Sequence, residues 1–337
     1  MPLDHSLQAA IVGAGLMGSW HARYASRWGQ IAYVVDPDRH RADELARKFP
    51  GALPVATLGE CLSQGAVGVV HICAPTNLHF EFSNQALEAG APVLVEKPAA
   101  ENAVQTERLL DLARSRKKRF AVSLQLPYQS GFGQFLQQRD SLGEAVRVEF
   151  SAATAGGDGL DSAQRRQVLW EILPHPLSVF SALGGQQAIE AGWRVDRFDD
   201  QELALSADVS GSRWSIFLSL RARPRALKLE WHGSRGRADI DFYHGYSTIR
   251  RGGDSRLDKV LRPFEEASGQ ILQAGGNLLG RAARREPAYP GLQALLAGFY
   301  GSLNEQISEL AAAELLAIAR LADSVREWPG ASLGFRR

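Results

Sequence analysis

The chain has 337 residues, 45% of them hydrophobic and 22% charged, the balance of a soluble globular protein long enough for two domains. Thirty-eight lysines and arginines stand against 37 acids, a net charge of +1, so no bulk electrostatic case exists for nucleic acid or membrane as a partner. Only two cysteines, Cys61 and Cys73, are present, too few for a disulfide framework or a cysteine-rich zinc site, and no metal is expected. No apolar run reaches membrane-spanning length, and the opening MPLDHSLQ lacks the charged and apolar regions of a signal peptide. A cytoplasmic protein is the expectation.

In chain order, the apolar run 9–12 is too short for a helix and reads as a buried strand. Gly13-Ala14-Gly15-Leu16-Met17-Gly18 follows, a G-x-G-x-x-G. An amphipathic helix is expected over 16–28, then a second buried strand over 31–35 that ends on Asp36. That order of strand, glycine loop, helix, strand and acid is what a dinucleotide site requires. Gly13 lets the chain turn off the strand, Gly15 lets a pyrophosphate approach the backbone, and Gly18 lets helix and strand pack closely. The helix N-terminus, at Leu16 and Met17, offers free N–H groups and a partial positive charge to the phosphates. Asp36 is placed to bond both ribose hydroxyls of an adenosine and to repel a 2′-phosphate, which favours NAD. Arg39, three residues on, offsets that repulsion and leaves NADP open.

The alternation continues. Helices are expected over 39–48, 58–63, 78–89 and 101–116, and strands over 52–55, 67–73, 92–95 and 120–124. Thr57 and Glu60 form a candidate capping box for the second of these helices. Strands alternating with helices of this length imply a doubly wound parallel sheet, a Rossmann domain, with ligands beyond the carboxyl ends of its strands. Two segments fall there: Ala74-Pro75-Thr76-Asn77-Leu78-His79 and Glu96-Lys97-Pro98. Thr76 or Asn77 is suited to capping the next helix as well as to touching a cofactor. Lys97 directly follows the buried run Val93-Leu94-Val95 and Glu96, so it points into the crevice.

Together, GAGLMG, APTNLH and VLVEKP resemble the glucose–fructose oxidoreductase and inositol dehydrogenase family (Gfo/Idh/MocA), closely over 7–120 and more loosely beyond. The resemblance implies that Lys97 lies by the nicotinamide and the substrate and that the bond before Pro98 is cis. It also implies that Thr76, Asn77 and His79 belong to the segment lining the nicotinamide ribose. Ala74, Pro75, Glu96, Lys97 and Pro98 then join Gly13, Gly15, Leu16, Met17, Gly18, Asp36 and Arg39 as the cofactor-binding set.

The domain boundary is expected near 124, giving a nucleotide domain over 1–124 and an α+β domain over 125–337 that binds substrate and builds oligomers. Its strands alternate apolar and polar residues, as a large, mostly antiparallel open sheet with one covered face should. The segment 167–185, QVLWEILPHPLSVFSALGG, carries the candidate chemistry. Pro174 and Pro176 suit the first turn of a helix, which places His175 at a helix N-terminus. The dipole there favours a neutral ring, the state a general base needs, while Glu171, four residues earlier, pulls the other way. The family's pattern here resembles D-x-x-x-H with a further acid three residues on; this chain has Glu171, His175 and Ser178. Basic clusters at Arg165-Arg166, at 221–225 and at 281–285 read as solvated surface, with Arg165-Arg166 also suited to an anionic substrate.

The expectation is an NAD(P)-dependent oxidoreductase with Lys97, His175 and Glu171 as its catalytic residues. The resemblance implies a carbohydrate-like substrate, meaning a sugar, cyclitol or sugar derivative, and a homodimer or homotetramer. A redox cycle without net NADH release, or a regulator that has kept the fold and lost turnover, stays open at this point.

Overall fold

A computed structural model describes residues 7–65, 67–252 and 256–328. The chain runs β1 (Gln8–Val12), α1 (Leu16–Ala25), β2 (Gln30–Val35), α2 (Arg39–Ala46), β3 (Leu53–Val55), α3 (Leu58–Ser63), β4 (Val69–Ile72), α4 (His79–Glu88), β5 (Val93–Val95), α5 (Ala103–Ser115) and β6 (Phe120–Val122). It continues α6 (Ser130–Gln138), β7 (Ala145–Ala153), α7 (Ser162–Ile172), α8 (Pro174–Ile189), β8 (Arg194–Phe198), β9 (Glu202–Val209), β10 (Ser212–Ser219), β11 (Ala226–Gly233), β12 (Gly236–Asp241) and β13 (Tyr246–Arg251). It closes with α9 (Arg256–Arg284), α10 (Leu292–Gly301) and α11 (Glu309–Arg326).

Two compact units emerge. Of the described residues, one holds those over 7–124 together with 295–320, and the other those over 125–294 together with 321–328. In the first, six parallel strands lie in the order β3-β2-β1-β4-β5-β6, the doubly wound arrangement. The order reverses between β1 and β4, so the loops after Val12 and Ile72 open at the switch point where such sheets bind ligands. Ala9 to Val12, Val69 to Ile72 and Val93 to Val95 are buried on both faces. Burying each valine or isoleucine contributes about 1.5–3 kcal/mol, and these runs can sit nowhere but between two helical layers.

Side chains far along the chain explain the return of 295–320. The Tyr300 ring stacks on Trp28 at 5.4 Å, and its hydroxyl reaches His71 at 2.8 Å. Arg119 donates to the Gln306 carbonyl and Arg320 pairs with Glu107. A single cut at 124 leaves this segment out of the first unit, because short-range patterning carries no trace of a contact between residues 71 and 300.

In the second unit, seven strands lie in the order β13-β12-β11-β7-β10-β9-β8, antiparallel except for β7 against β10. Val148, Phe150 and Ala152 alternate inward along β7, and Trp214, Ile216 and Leu218 along β10. Phe150, Phe180 and Trp214 pack edge to face, at 6.4 Å and 4.9 Å between rings. Ala188 and Ile189 finish α8, and β8 starts only at Arg194. Gly185, at φ +64°, kinks α8 without ending it, and the indole of Trp193 donates to the Ala188 carbonyl. Residues 257–279 lie within the 29-residue α9. Among the described residues no helix is long and apolar enough to cross a membrane.

Candidate functional site

The glycine loop is built from three glycines with three different reasons. Gly13 sits at φ +94°, and a Cβ there would lie 2.6 Å from the Cys73 carbonyl oxygen. A Cβ on Gly18 would lie 1.8 Å from the Gly13 carbonyl oxygen, so only glycine lets α1 come this close to the turn. Gly15 has an ordinary φ of −76°, and a Cβ there would meet nothing within 4 Å. No contact within the chain requires glycine there. Gly15 is the N-cap of α1, no side chain caps the helix, and no acid lies in its first turn. Leu16, two-thirds exposed, and half-buried Met17 begin it. Uncapped N–H groups beside open space are a ready anion site, and the arrangement fits a pyrophosphate.

Asp36 is nearly buried. Its Oδ2 accepts from Ala14 N at 2.8 Å and its Oδ1 from Asp38 N at 2.9 Å, so the carboxylate ties the glycine loop to the end of β2. Each oxygen keeps a lone pair for a ribose hydroxyl. Arg39 is exposed and pairs with Asp43 on α2 at 3.5 Å, a surface contact that costs little to break.

The second crevice segment leaves β4 through Ala74 and Pro75, makes a 3-10 turn over Thr76–Leu78, and enters α4 with no side-chain cap. Pro75 and Asn77 are exposed and Thr76 is half-buried. His79 is fully buried, with Nδ1 2.7 Å from the Pro98 carbonyl oxygen and Nε2 2.9 Å from that of Ala74. Its ring braces the two strand-end loops against each other. The Lys97–Pro98 peptide is cis, Pro98 is buried and Lys97 is half-buried.

Glu96 turns inward, where sequence reading missed a chain of polar groups. His21 Nε2 lies 3.1 Å from Glu96 Oε1, His21 Nδ1 lies 3.0 Å from His71 Nδ1, and His71 Nε2 lies 2.8 Å from the Tyr300 hydroxyl. One assignment satisfies every atom with both rings neutral: Tyr300 O–H donates to His71, His71 Nδ1–H to His21, and His21 Nε2–H to the carboxylate. Burial pushes the Glu96 carboxyl up, but the His21 hydrogen bond, a positive charge on His21 whenever that ring takes a second proton, and the Lys97 charge outweigh it, leaving the group below its ordinary range. Burial, aided by His21, holds His71 well below the usual imidazole value, and burial raises the Tyr300 phenol. Glu96 also accepts from Lys97 N at 3.3 Å, so this chain ends at the backbone of the candidate catalytic lysine. The available signals were polar residues in apolar settings: His21 on the buried face of α1 and His71 inside a buried strand.

In the second unit, α7 runs almost directly into α8, with Leu173 between them in helical conformation. Glu171 lies in the last turn of α7 and accepts from Gln167 at 3.0 Å, while half-buried His175 lies in the first turn of α8 after Pro174. The Ser178 hydroxyl donates to the His175 carbonyl at 2.7 Å, which uses it within the helix. Arg165 is committed to Asp200, to Ser162 and to the Leu160 carbonyl, and its guanidinium holds the Asp200 carboxyl below its usual range. Glu149, Glu230 and His232 come within metal-cluster distance, but Arg147 and Arg237 already pair with the two carboxylates at 2.6 Å and 2.9 Å.

Residues 7–124 match the model of an oxidoreductase family with an NAD-binding Rossmann fold. In this segment the chain is similar to the Gfo/Idh/MocA family. An inositol 2-dehydrogenase of Corynebacterium glutamicum is 33% identical over 119 residues, 34% of this chain and 35% of that protein. A UDP-N-acetylglucosamine 3-dehydrogenase of Acidithiobacillus ferrooxidans is 31% identical over 140 residues, 38% of this chain and 42% of that one. The chain thus spans about a third to two-fifths of the curated relatives it matches. Fold similarity extends further. A 3-ketoreductase from Actinomadura kijaniata, solved with NADP and TDP-benzene, superposes with a TM-score of 0.72 at 19% identity, covering 95% of this chain and 97% of that one. A levoglucosan dehydrogenase solved with NADH and levoglucosan has a TM-score of 0.72 at 16% identity, covering 95% and 96%. The fold of these two enzymes thus extends over both units.

Proposed function

We propose that this protein is an NAD(P)-dependent oxidoreductase acting on a secondary alcohol or ketone of a sugar, cyclitol or sugar derivative. The observation that carries the reading is Gly15: an open, uncapped helix N-terminus whose missing side chain no internal contact requires. Gly13, Gly15, Leu16, Met17 and Gly18 hold the pyrophosphate, Asp36 the adenosine ribose with Arg39 nearby, and 74–77 with 96–98 the nicotinamide end. The cofactor, when bound, supplies the hydride acceptor or donor. Lys97 stabilises an oxyanion developing on the substrate by a charge-assisted hydrogen bond. His175 takes the hydroxyl proton in the oxidative direction, and Glu171 orients it. The named relatives act on inositol, a UDP-linked sugar and levoglucosan, which supports the substrate class.

The test is NADH fluorescence from the purified protein with NAD⁺ over polyols, free sugars, sugar phosphates and nucleotide sugars. A signal lost in both Lys97→Ala and His175→Ala establishes the reading. NAD bound but silent across the panel in both directions refutes turnover on this class. A homodimer or homotetramer through the exposed face of the second sheet, which carries Arg147, Glu149, Glu230 and Arg237, completes the reading, and sedimentation velocity checks it.

A further inference from the structure

Helix α9 is amphipathic, with its polar side against the protein. Glu266 pairs with Arg250 of β13, Gln270 donates to the Tyr246 hydroxyl, and Asn277 and Arg281 both donate to the His244 carbonyl. Arg281 also donates to the Glu286 and Pro287 carbonyls, and Arg284 pairs with the Glu286 carboxylate. These positions, spaced three and four apart, make one face, and the charges at the helix's end belong to it. The opposite face points outward. Phe264, Ile271, Leu272, Leu278 and Leu279 are 67–74% exposed, and Leu261 is 47% exposed. Ordinary surface helices bury such a stripe against the core. At these exposures the six side chains show roughly 800 Å² to solvent, about what each partner buries in a standard two-protein interface. The stripe is also spaced in heptads. Phe264, Ile271 and Leu278 recur every seven residues, and so do Leu261, Ser268, Gly275 and Ala282. The first row is large; the second is small after Leu261. Glycine weakens an exposed helix, and a Cβ at Gly275 would meet nothing within 4 Å, so no contact within the chain requires glycine there.

We propose that α9 pairs with α9 of a second copy of this chain, antiparallel across a two-fold axis. An axis at the level of Gln273 lays Phe264 on the partner's Ala282, Leu278 on the partner's Ser268 and Ile271 on the partner's Gly275, and symmetry repeats each contact. Leu272 meets the partner's Leu272 beside the axis. Every layer of the seam then joins a large side chain to a small one, as knobs entering holes require, over about 27 Å of helix. A parallel pair instead stacks Phe264 on the partner's Phe264 and Gly275 on the partner's Gly275, crowded at one layer and empty at another. Residues 267–280 carry no charge, so the symmetric contact sets no like charges against each other, a juxtaposition that costs several kcal/mol elsewhere. The helix stands on the edge strand β13 with this face turned away from the sheet. Its pairing is therefore a second contact beside any made through the sheet face, and the two together give a tetramer with two kinds of two-fold interface. Neither contact depends on the reaction proposed for the protein.

The experiment is sedimentation velocity of the full-length protein at tens of micromolar, with disulfide trapping and vesicle flotation beside it. The wild type is expected to be a dimer, or a tetramer where the sheet face pairs as well. Ile271→Asp with Leu278→Asp halves that mass and weakens the pairing about a hundredfold, and Ile271→Ser with Leu278→Ser weakens it about tenfold. Circular dichroism and melting confirm that both variants stay folded. Halving leaves any sheet-face contact in place, so the two interfaces fail separately. Trapping with oxidised glutathione reads the register, and it decides the matter should either variant unfold. Leu272→Cys alone forms a cross-linked dimer, as does Phe264→Cys combined with Ala282→Cys. Phe264→Cys alone does not, because the antiparallel register holds it about 27 Å along the axis from its own mate. The proposal is overturned if the wild type is monomeric, if folded variants keep its mass, or if it floats with vesicles in place of pairing. Cross-linking of Phe264→Cys alone as readily as of Leu272→Cys overturns the antiparallel register.

Discussion

Replacing Gly15 by alanine separates a glycine kept for a ligand from a glycine kept for the fold. At φ −76° alanine is unstrained, and its Cβ meets nothing within 4 Å. The folded state gains no clash, the unfolded chain loses up to about 1 kcal/mol of entropy, and alanine is a slightly poorer N-cap than glycine by a similar amount. Stability should therefore stay within about 1 kcal/mol of the wild type. The methyl group instead fills the space through which a pyrophosphate reaches the first N–H groups of α1. Losing that approach should weaken NAD binding at least tenfold, about 1.4 kcal/mol. Gly18→Ala is the counterpart: its Cβ would lie 1.8 Å from a backbone oxygen that cannot move away cheaply. That substitution should cost about 3 kcal/mol or more and lower the melting temperature whether or not ligand is present. Calorimetric titration with NAD⁺ and thermal melting of the apo proteins measure both quantities. Wild-type NAD affinity in folded Gly15→Ala would refute the assignment of this loop to the pyrophosphate.

Other outcomes follow from the same geometry. Lys97→Ala should cut turnover on a substrate found by the panel at least a hundredfold while changing NAD affinity less than threefold by titration; equal losses of both would remove its assigned role. Tyr300→Phe leaves His71 Nε2 without its donor in a dry site and should cost about 1–3 kcal/mol by chemical denaturation. Stability should also fall in acid in two stages. His71 has a lowered folded value, so the unfolded chain binds more protons below about pH 6.5, and stability drops as pH falls through that range. Glu96 is also depressed, so its contribution is present above its unfolded value near 4.3 and is lost as pH falls through the lower folded value. Melting temperature against pH, with His71→Phe as the comparison, separates the stages; an upper stage that survives in the variant would remove the assignment to His71.

Much of the nucleotide half was legible because its signals are local. Buried parallel strands read as unbroken apolar runs, helices as a 3.6-residue period, and the glycine loop as three glycines at fixed spacing, so the Rossmann order and residues 13–18, 36, 74–79 and 96–98 could be located without coordinates. The sequence determined these because each depends on neighbours within a few residues. Four things belonged to the tertiary structure alone. Which glycines the fold itself requires was decided by what surrounds each Cβ: Cys73 and Gly13 carbonyls at Gly13 and Gly18, nothing at Gly15. The inward turn of Glu96 rested on His21, His71 and Tyr300, separated by up to 229 positions from their partners. The return of 295–320 to the first unit rested on the same contacts. And although the apolar stripe of α9 is written in its sequence, the direction it faces is not, because a helical period specifies two faces and only the packing partner chooses which one is buried.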